Sequence, residues 1–232
     1  MPSPTIAAVL AAFLAEQKQR LSPKTFAQYA DVVELLQHSL NDYAYLTLSG
    51  RDAKRFDERF NAPGIAHREF CALFGPEHIL PNVGEFLGYF MVRKVSAGPA
   101  LLRAAGTVTK KLAAWLAAKG YADPATAEVA AEHGAAAARD LLQAEALAAR
   151  LADVAEAQAV DDSSELLEDH FQITRVEPGR IWLEGLDGRE HGPISLPVAL
   201  SRQCPVGWTI SGVVGRVGRR WQLLEAWAVY PS

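Results

Sequence analysis

The chain has 232 residues, half of them hydrophobic and 22% charged, with a net charge of −4. This composition excludes a disordered polymer, and the length suits one large domain or two small ones. No apolar run approaches the roughly 20 residues that span a bilayer, and Met1-Pro2-Ser3-Pro4-Thr5 lacks the basic stretch of a signal peptide, so a cytoplasmic protein with no membrane partner is expected.

Ile6, Val9, Leu10, Phe13 and Leu14 recur at helical spacing and predict an amphipathic helix over Ile6 to Arg20. Leu21-Ser22-Pro23-Lys24-Thr25 restarts the chain, with Ser22 as cap and Pro23 at the first helical position. Phe26, Tyr29, Val32, Val33, Leu36 and Leu40 form the next apolar face. Thr47-Leu48-Ser49-Gly50 reads as a loop, Arg51 to Phe60 as a short charged helix, Pro63-Gly64 as its break, and Ala66 to Leu73 as another short helix. Val83 to Val95 is apolar on one side and ends in Arg93-Lys94, cations that suit a helix C-terminus. Gly98-Pro99 breaks the chain before a helix over Ala100 to Lys119, closed by Gly120.

From Pro124 the composition turns to alanine and glutamate. Ala127 to about Gln158 predicts one long helix, or two broken at Gly134, followed by a polar linker at Asp161-Asp162-Ser163-Ser164. The acidic residues over 161–169 are assigned to that linker. The last 62 residues change period. Phe171 to Val176 alternates, Pro178-Gly179 turns, Arg180 to Leu186 follows, and Asp187-Gly188 is a hairpin signal. Ile194-Ser195-Leu196 is a short strand, Pro197 to Arg202 one helical turn, and Trp208 to Val217 with Arg220 to Tyr230 a second hairpin about Gly218-Arg219. Five short strands with tight turns predict a small closed barrel of the SH3 or OB kind, with Trp182, Trp208, Trp221 and Trp227 as core candidates. The expected fold class is therefore α+β and multidomain: a helical bundle over 1–120, an acidic helical connector over 121–168 and a β-barrel over 169–232.

The charge is unevenly spread. Residues 1–120 carry 14 basic and 10 acidic side chains, residues 121–170 carry 2 and 12, and residues 171–232 carry 7 and 5. Two mildly basic parts flank an acidic one, which leaves a polyanionic partner open. Cys71 and Cys204 form no CxxC pair, and the histidines show neither HExxH nor HxH spacing, so metal chemistry is not indicated and both thiols read as buried and reduced.

Phe13-Leu14-Ala15-Glu16-Gln17-Lys18-Gln19-Arg20-Leu21-Ser22-Pro23-Lys24-Thr25-Phe26-Ala27-Gln28-Tyr29 resembles the opening of the N-terminal core-binding domain of phage-integrase-type tyrosine recombinases. Gly84-Glu85-Phe86-Leu87 and the run from Thr107 to Gly120 are similar to that domain's later helices. The resemblance covers about half of the chain and implies a SAM-like bundle that clamps duplex DNA. The matching positions are Ser22, Lys24 and Thr25 at one helix start, and Thr107, Thr109, Lys110 and Lys111 on another helix. Hydroxyls, helix N-terminal amides and lysines all suit phosphate oxygens. Arg93, Lys94 and Arg103 extend the candidate nucleic-acid surface, and Arg216, Arg219 and Arg220 beside Trp221 add a basic hairpin tip suited to single strands.

The same family's second domain carries an Arg, a His-x-x-Arg and a nucleophilic Tyr. Residues 121–232 contain no His-x-x-Arg, and Tyr230 stands alone. Gly212-Val213-Val214-Gly215-Arg216-Val217-Gly218 lacks the Gly-Lys-Ser/Thr end of a phosphate loop. No nucleophile–base set is recognisable, so a non-catalytic DNA-binding protein without cofactor, accessory to recombination or DNA integration, is expected. The alternative is a protein–protein adaptor that pairs with another protein, or with itself, through the 127–158 helix.

Overall fold

A computed structural model describes residues 4–95, 98–158 and 165–231, so the expected linker at 161–164 lies outside the described residues. The chain forms two compact units, Met1–Arg139 and Asp140–Ser232.

The first unit is helical. Helix α1, Ile6–Lys18, is capped by Thr5, whose hydroxyl accepts the Ala8 N–H at 3.3 Å. It buries Ile6, Val9, Leu10 and Phe13. Helix α2, Pro23–Tyr43, starts as its sequence dictates: Ser22 Oγ accepts the Thr25 N–H at 3.3 Å and Pro23 sets the first helical φ. It contributes Tyr29, Val32, Val33, Leu36 and Leu40 to the core, where each fully buried large apolar side chain stabilises the fold by about 1.5–3 kcal/mol. A 3₁₀ turn at Ala44–Thr47 leads into α3, Gly50–Phe60.

Two expected helices are corrected. Over 66–73 the chain makes only a 3₁₀ turn at Gly64–Ala66 and a single turn, α4, at Phe70–Leu73. The residues between are extended because other groups take their polar atoms. The Arg68 N–H bonds the Arg59 carbonyl at 3.0 Å, and the Asn41 side chain accepts the Cys71 N–H at 2.9 Å while donating to Glu69. Over 83–93 the helix is α-helical at Val83–Glu85 (α5) and Met91–Arg93 (α6) but widens to a π-helix at Phe86–Phe90. Phe86, Leu87, Phe90 and Met91 are all buried by that stretch.

Helix α7, Pro99–Ala118, ends at Gly120, whose φ of +74° is the left-handed conformation glycine adopts freely. Helix α8, Pro124–Gln158, runs unbroken through Gly134. Asp123 caps it, accepting the Thr126 N–H at 2.9 Å and the Thr126 hydroxyl, and these bonds hold its carboxyl below the usual range. Small residues let α7 and α8 approach closely: a Cβ on Gly106 would lie 2.2 Å from the Ala138 Cβ.

The second unit is a five-stranded sheet: β1 Glu165–Glu177, β2 Arg180–Glu184, β3 Glu190–Ser195, β4 Thr209–Val217 and β5 Arg220–Tyr230, with a helical turn, α9, at Val198–Ser201. β1 begins inside the stretch assigned to an acidic linker. Glu165 to Gln172 pair antiparallel with Arg216 to Thr209, and Gln172 to Glu177 then pair with β2. Pairing with β4 satisfies the main chain of this stretch as well as water satisfies a linker, and Glu165 gains Arg216 at 4.0 Å.

The order is β1-β2-β3-β5-β4, with β4 returning to β1. The seam between β3 and β5 is a single parallel pair, Ile194 with Trp221. The five strands thus form one sheet that curls until β3 and β5 meet, joined there by that one pair. Phe171, Ile173, Ile181, Leu183, Ile194, Ile210, Val214 and Leu223 fill its interior together with Leu147 and Leu151 of α8. Trp182 and Trp208 are buried as expected, whereas Trp227 is 52% exposed and leaves the core list.

Candidate functional site

Helix α7 carries Arg103, Thr107, Lys110 and Lys111 within about a quarter of its circumference, since each residue turns the helix by about 100°. All four are exposed, and α7 contains no acidic residue to pair with the cations along the helix. The Thr107 hydroxyl is committed to the Arg103 carbonyl at 3.0 Å. Thr109, expected on the same surface, is corrected: it is 1% exposed and its side chain points toward Gly134 of α8. Its hydroxyl is buried without a hydrogen-bond partner among the described residues.

At the start of α2 the Ser22 and Thr25 hydroxyls lie 3.0 Å apart and serve the cap, leaving the exposed Lys24 ammonium as the group directed to solvent. Arg93 and Lys94 both lie over the Tyr89 ring, at 5.9 and 5.8 Å, a cation–π arrangement that ties them to the π-helix. In the second unit Arg219 and Arg220 are exposed at the β4–β5 turn. Trp221 does not join them as a stacking surface: it packs on the core, 4.7 Å from the His191 ring. The glycines of that hairpin serve close strand approach, because a Cβ on Gly212 would lie 2.1 Å from the Glu225 carbonyl oxygen.

The first unit also contains a cleft of about 690 Å³ outside every sequence expectation. One wall is a row of rings: Tyr45 stacks on Phe56 at 5.2 Å and Phe56 on Phe60 at 5.1 Å, with His67 5.2 Å beyond. Asp42, Asp57 and Glu69 also line it, and no Lys or Arg does. An adjoining cleft of about 530 Å³ shares Asn41, Asp42, Tyr43 and Glu69 and has Lys94 at its margin. The lining residues come from separate stretches of chain, so no linear motif announces the site. The one available signal is the density of aromatic and acidic residues between positions 42 and 69.

Among the described residues no group of three or more His, Cys, Asp or Glu side chains stands close enough to hold a metal ion. No described helix is long and apolar enough to cross a membrane. No family model, no curated protein and no solved structure matches this chain.

Proposed function

We propose that the first unit is a non-catalytic module that binds the phosphate backbone of duplex DNA, a SAM-like bundle derived from an integrase-like core-binding domain. The observation that carries this reading is the exposed, acid-free strip of Arg103, Lys110 and Lys111 on α7. Cations without intrahelical carboxylates keep their full charge for an outside partner, and phosphate contacts of this kind position a protein without reading sequence. Lys24, at the exposed start of α2, adds a helix N-terminus with its partial positive charge. The SH3- or OB-like second unit contributes the Arg219–Arg220 tip as an auxiliary contact.

The test is fluorescence anisotropy of a labelled duplex titrated with the full-length protein at several salt concentrations. Binding that weakens steeply with salt supports the reading, and absence of binding at about 50 mM salt removes it. The second reading is a protein–protein adaptor, favoured by the acidic aromatic cleft, whose carboxylates repel phosphate and attract a basic partner.

A further inference from the structure

We infer that the cleft between the end of α2, the chain after it and α3 is a binding site for a guanidinium group on an apolar tether, the chemistry of an arginine side chain. The site is distinct from the basic strip on α7 and does not rest on DNA binding.

The wall of rings comes first. Phe56 is buried in the middle of the row, while Tyr45 and Phe60 on either side are 41% and 44% exposed. Stacking on Phe56 takes one face of each outer ring, so Tyr45 and Phe60 have only their opposite faces to offer beside a cleft of about 690 Å³. A guanidinium is flat, weakly hydrated and stacks on such faces, which a compact, strongly hydrated ammonium does less well.

The charge is the second element. Asp42, Asp57 and Glu69 line the same space. The Asn61 side chain holds Asp57 at 2.7 Å, and Asn41 holds Glu69, so both carboxylates are oriented and keep acceptor capacity. Asp42 has no partner among the described residues. The three do not converge as metal ligands do, since they form no cluster able to hold a metal ion. A wide planar cation with five donors can engage more than one carboxylate of such a lining, which a point charge does less well.

Three nearby cations already have partners. Arg68 donates to the Ile65 and His67 carbonyls at 2.6 and 2.7 Å, Arg55 donates to the Leu73 carbonyl at 3.1 Å, and Lys94 lies over Tyr89. His67 completes the wall with its Nδ1 2.6 Å from the Phe60 carbonyl.

The experiment uses the full chain, a fluorescein-labelled tri-arginine peptide, and unlabelled butylguanidine as competitor. The expected result is saturable peptide binding that butylguanidine displaces, at least about tenfold weaker in Asp42→Asn and in Tyr45→Ala, since a charge-assisted hydrogen bond or a cation–π contact is worth about one decade. Both residues are exposed or half-exposed, and unchanged circular dichroism of the variants confirms folding. Tri-lysine should bind several-fold more weakly. The Lys110→Ala/Lys111→Ala double variant should bind the peptide like the wild type, whatever its effect on DNA. Butylguanidine alone binding as tightly as the peptide identifies a free small guanidine as ligand, whereas markedly tighter peptide identifies an arginine-bearing chain. Equal affinity for tri-lysine, or binding indifferent to Asp42→Asn and Tyr45→Ala, overturns the inference, as does absence of saturable binding.

Discussion

The Glu16 carboxylate lies 2.6 Å from the Lys119 ammonium, joining the end of α1 to the residue that closes α7. The Trp115 indole N–H donates to the other Glu16 oxygen at 2.9 Å, and its ring packs edge-on to Phe13 at 5.5 Å. Lys119, then Trp115, hold the Glu16 carboxyl below the usual carboxylate range.

A carboxylate whose folded pKa is lowered stabilises the fold above its unfolded value, and loses that contribution as pH falls through the folded value. Glu16→Gln keeps an acceptor for Trp115 and removes only the charge. Its melting temperature should lie below that of wild type at pH 7, with the gap closing between about pH 5 and the acid end of the titration. A gap of constant size from pH 7 to pH 3 would show that packing, not charge, is responsible.

Replacing Lys110 and Lys111 by alanine should weaken binding to all duplex sequences alike. The log–log dependence of affinity on salt should flatten by about two, since each phosphate contact contributes a slope of roughly −0.9. With Lys24, Arg93, Arg103, Lys110 and Lys111 engaged, the wild-type slope corresponds to roughly three to five contacts. Duplex binding unchanged in the double variant would transfer the site to Arg219 and Arg220.

Two glycines within helices should respond to alanine in opposite directions. Gly134→Ala places a Cβ 3.4 Å from the Thr109 Cγ2 and 3.5 Å from the Leu87 Cδ1, ordinary contacts, and gains about 1 kcal/mol of helix propensity. Gly106→Ala places one 2.2 Å from the Ala138 Cβ and must push α7 from α8, an overpacking cost of about 1–3 kcal/mol that outweighs the same propensity gain. Chemical denaturation of both variants reads the signs. A destabilised Gly134→Ala would contradict the spacing at that position.

Burial pushes the Cys71 thiol up to about 12 and the Cys204 thiol up to about 11, Glu69 adding to the effect at Cys71. At pH 8 their thiolate populations should be about a hundredfold or more below that of a free cysteine. Neither should react with a disulfide reagent until its own unit opens. The two thiols thus report separately on Met1–Arg139 and Asp140–Ser232 along a denaturant series. Immediate reaction of either in native buffer would contradict the burial.

The helices were legible where caps and apolar spacing agreed, as at Ser22-Pro23 and Gly120. The π-helix at Phe86–Phe90 was not, because it buries the same aromatic residues that an α-helix would have buried. The early start of β1 is not legible, because Glu165, Glu168 and Asp169 suggest solvation and the run from Glu165 to His170 shows no clean alternation of apolar and polar residues. The α7 strip was legible residue by residue except at Thr109, which shares a face with Leu102, Ala105 and Gly106 and turns inward with them. The aromatic cleft escaped because its parts meet only after folding.

Although β5 runs beside β3, their single registered pair leaves most of that side of β3 without paired residues. An unpaired strand edge is a template on which a second chain can add itself and begin an aggregate. β3 is poorly suited to that exchange. It is six residues long, opens with the exposed carboxylate of Glu190, and carries Pro193, which has no amide hydrogen to offer an incoming strand. The protein thus tolerates an incomplete ring by making its open edge unrewarding to copy.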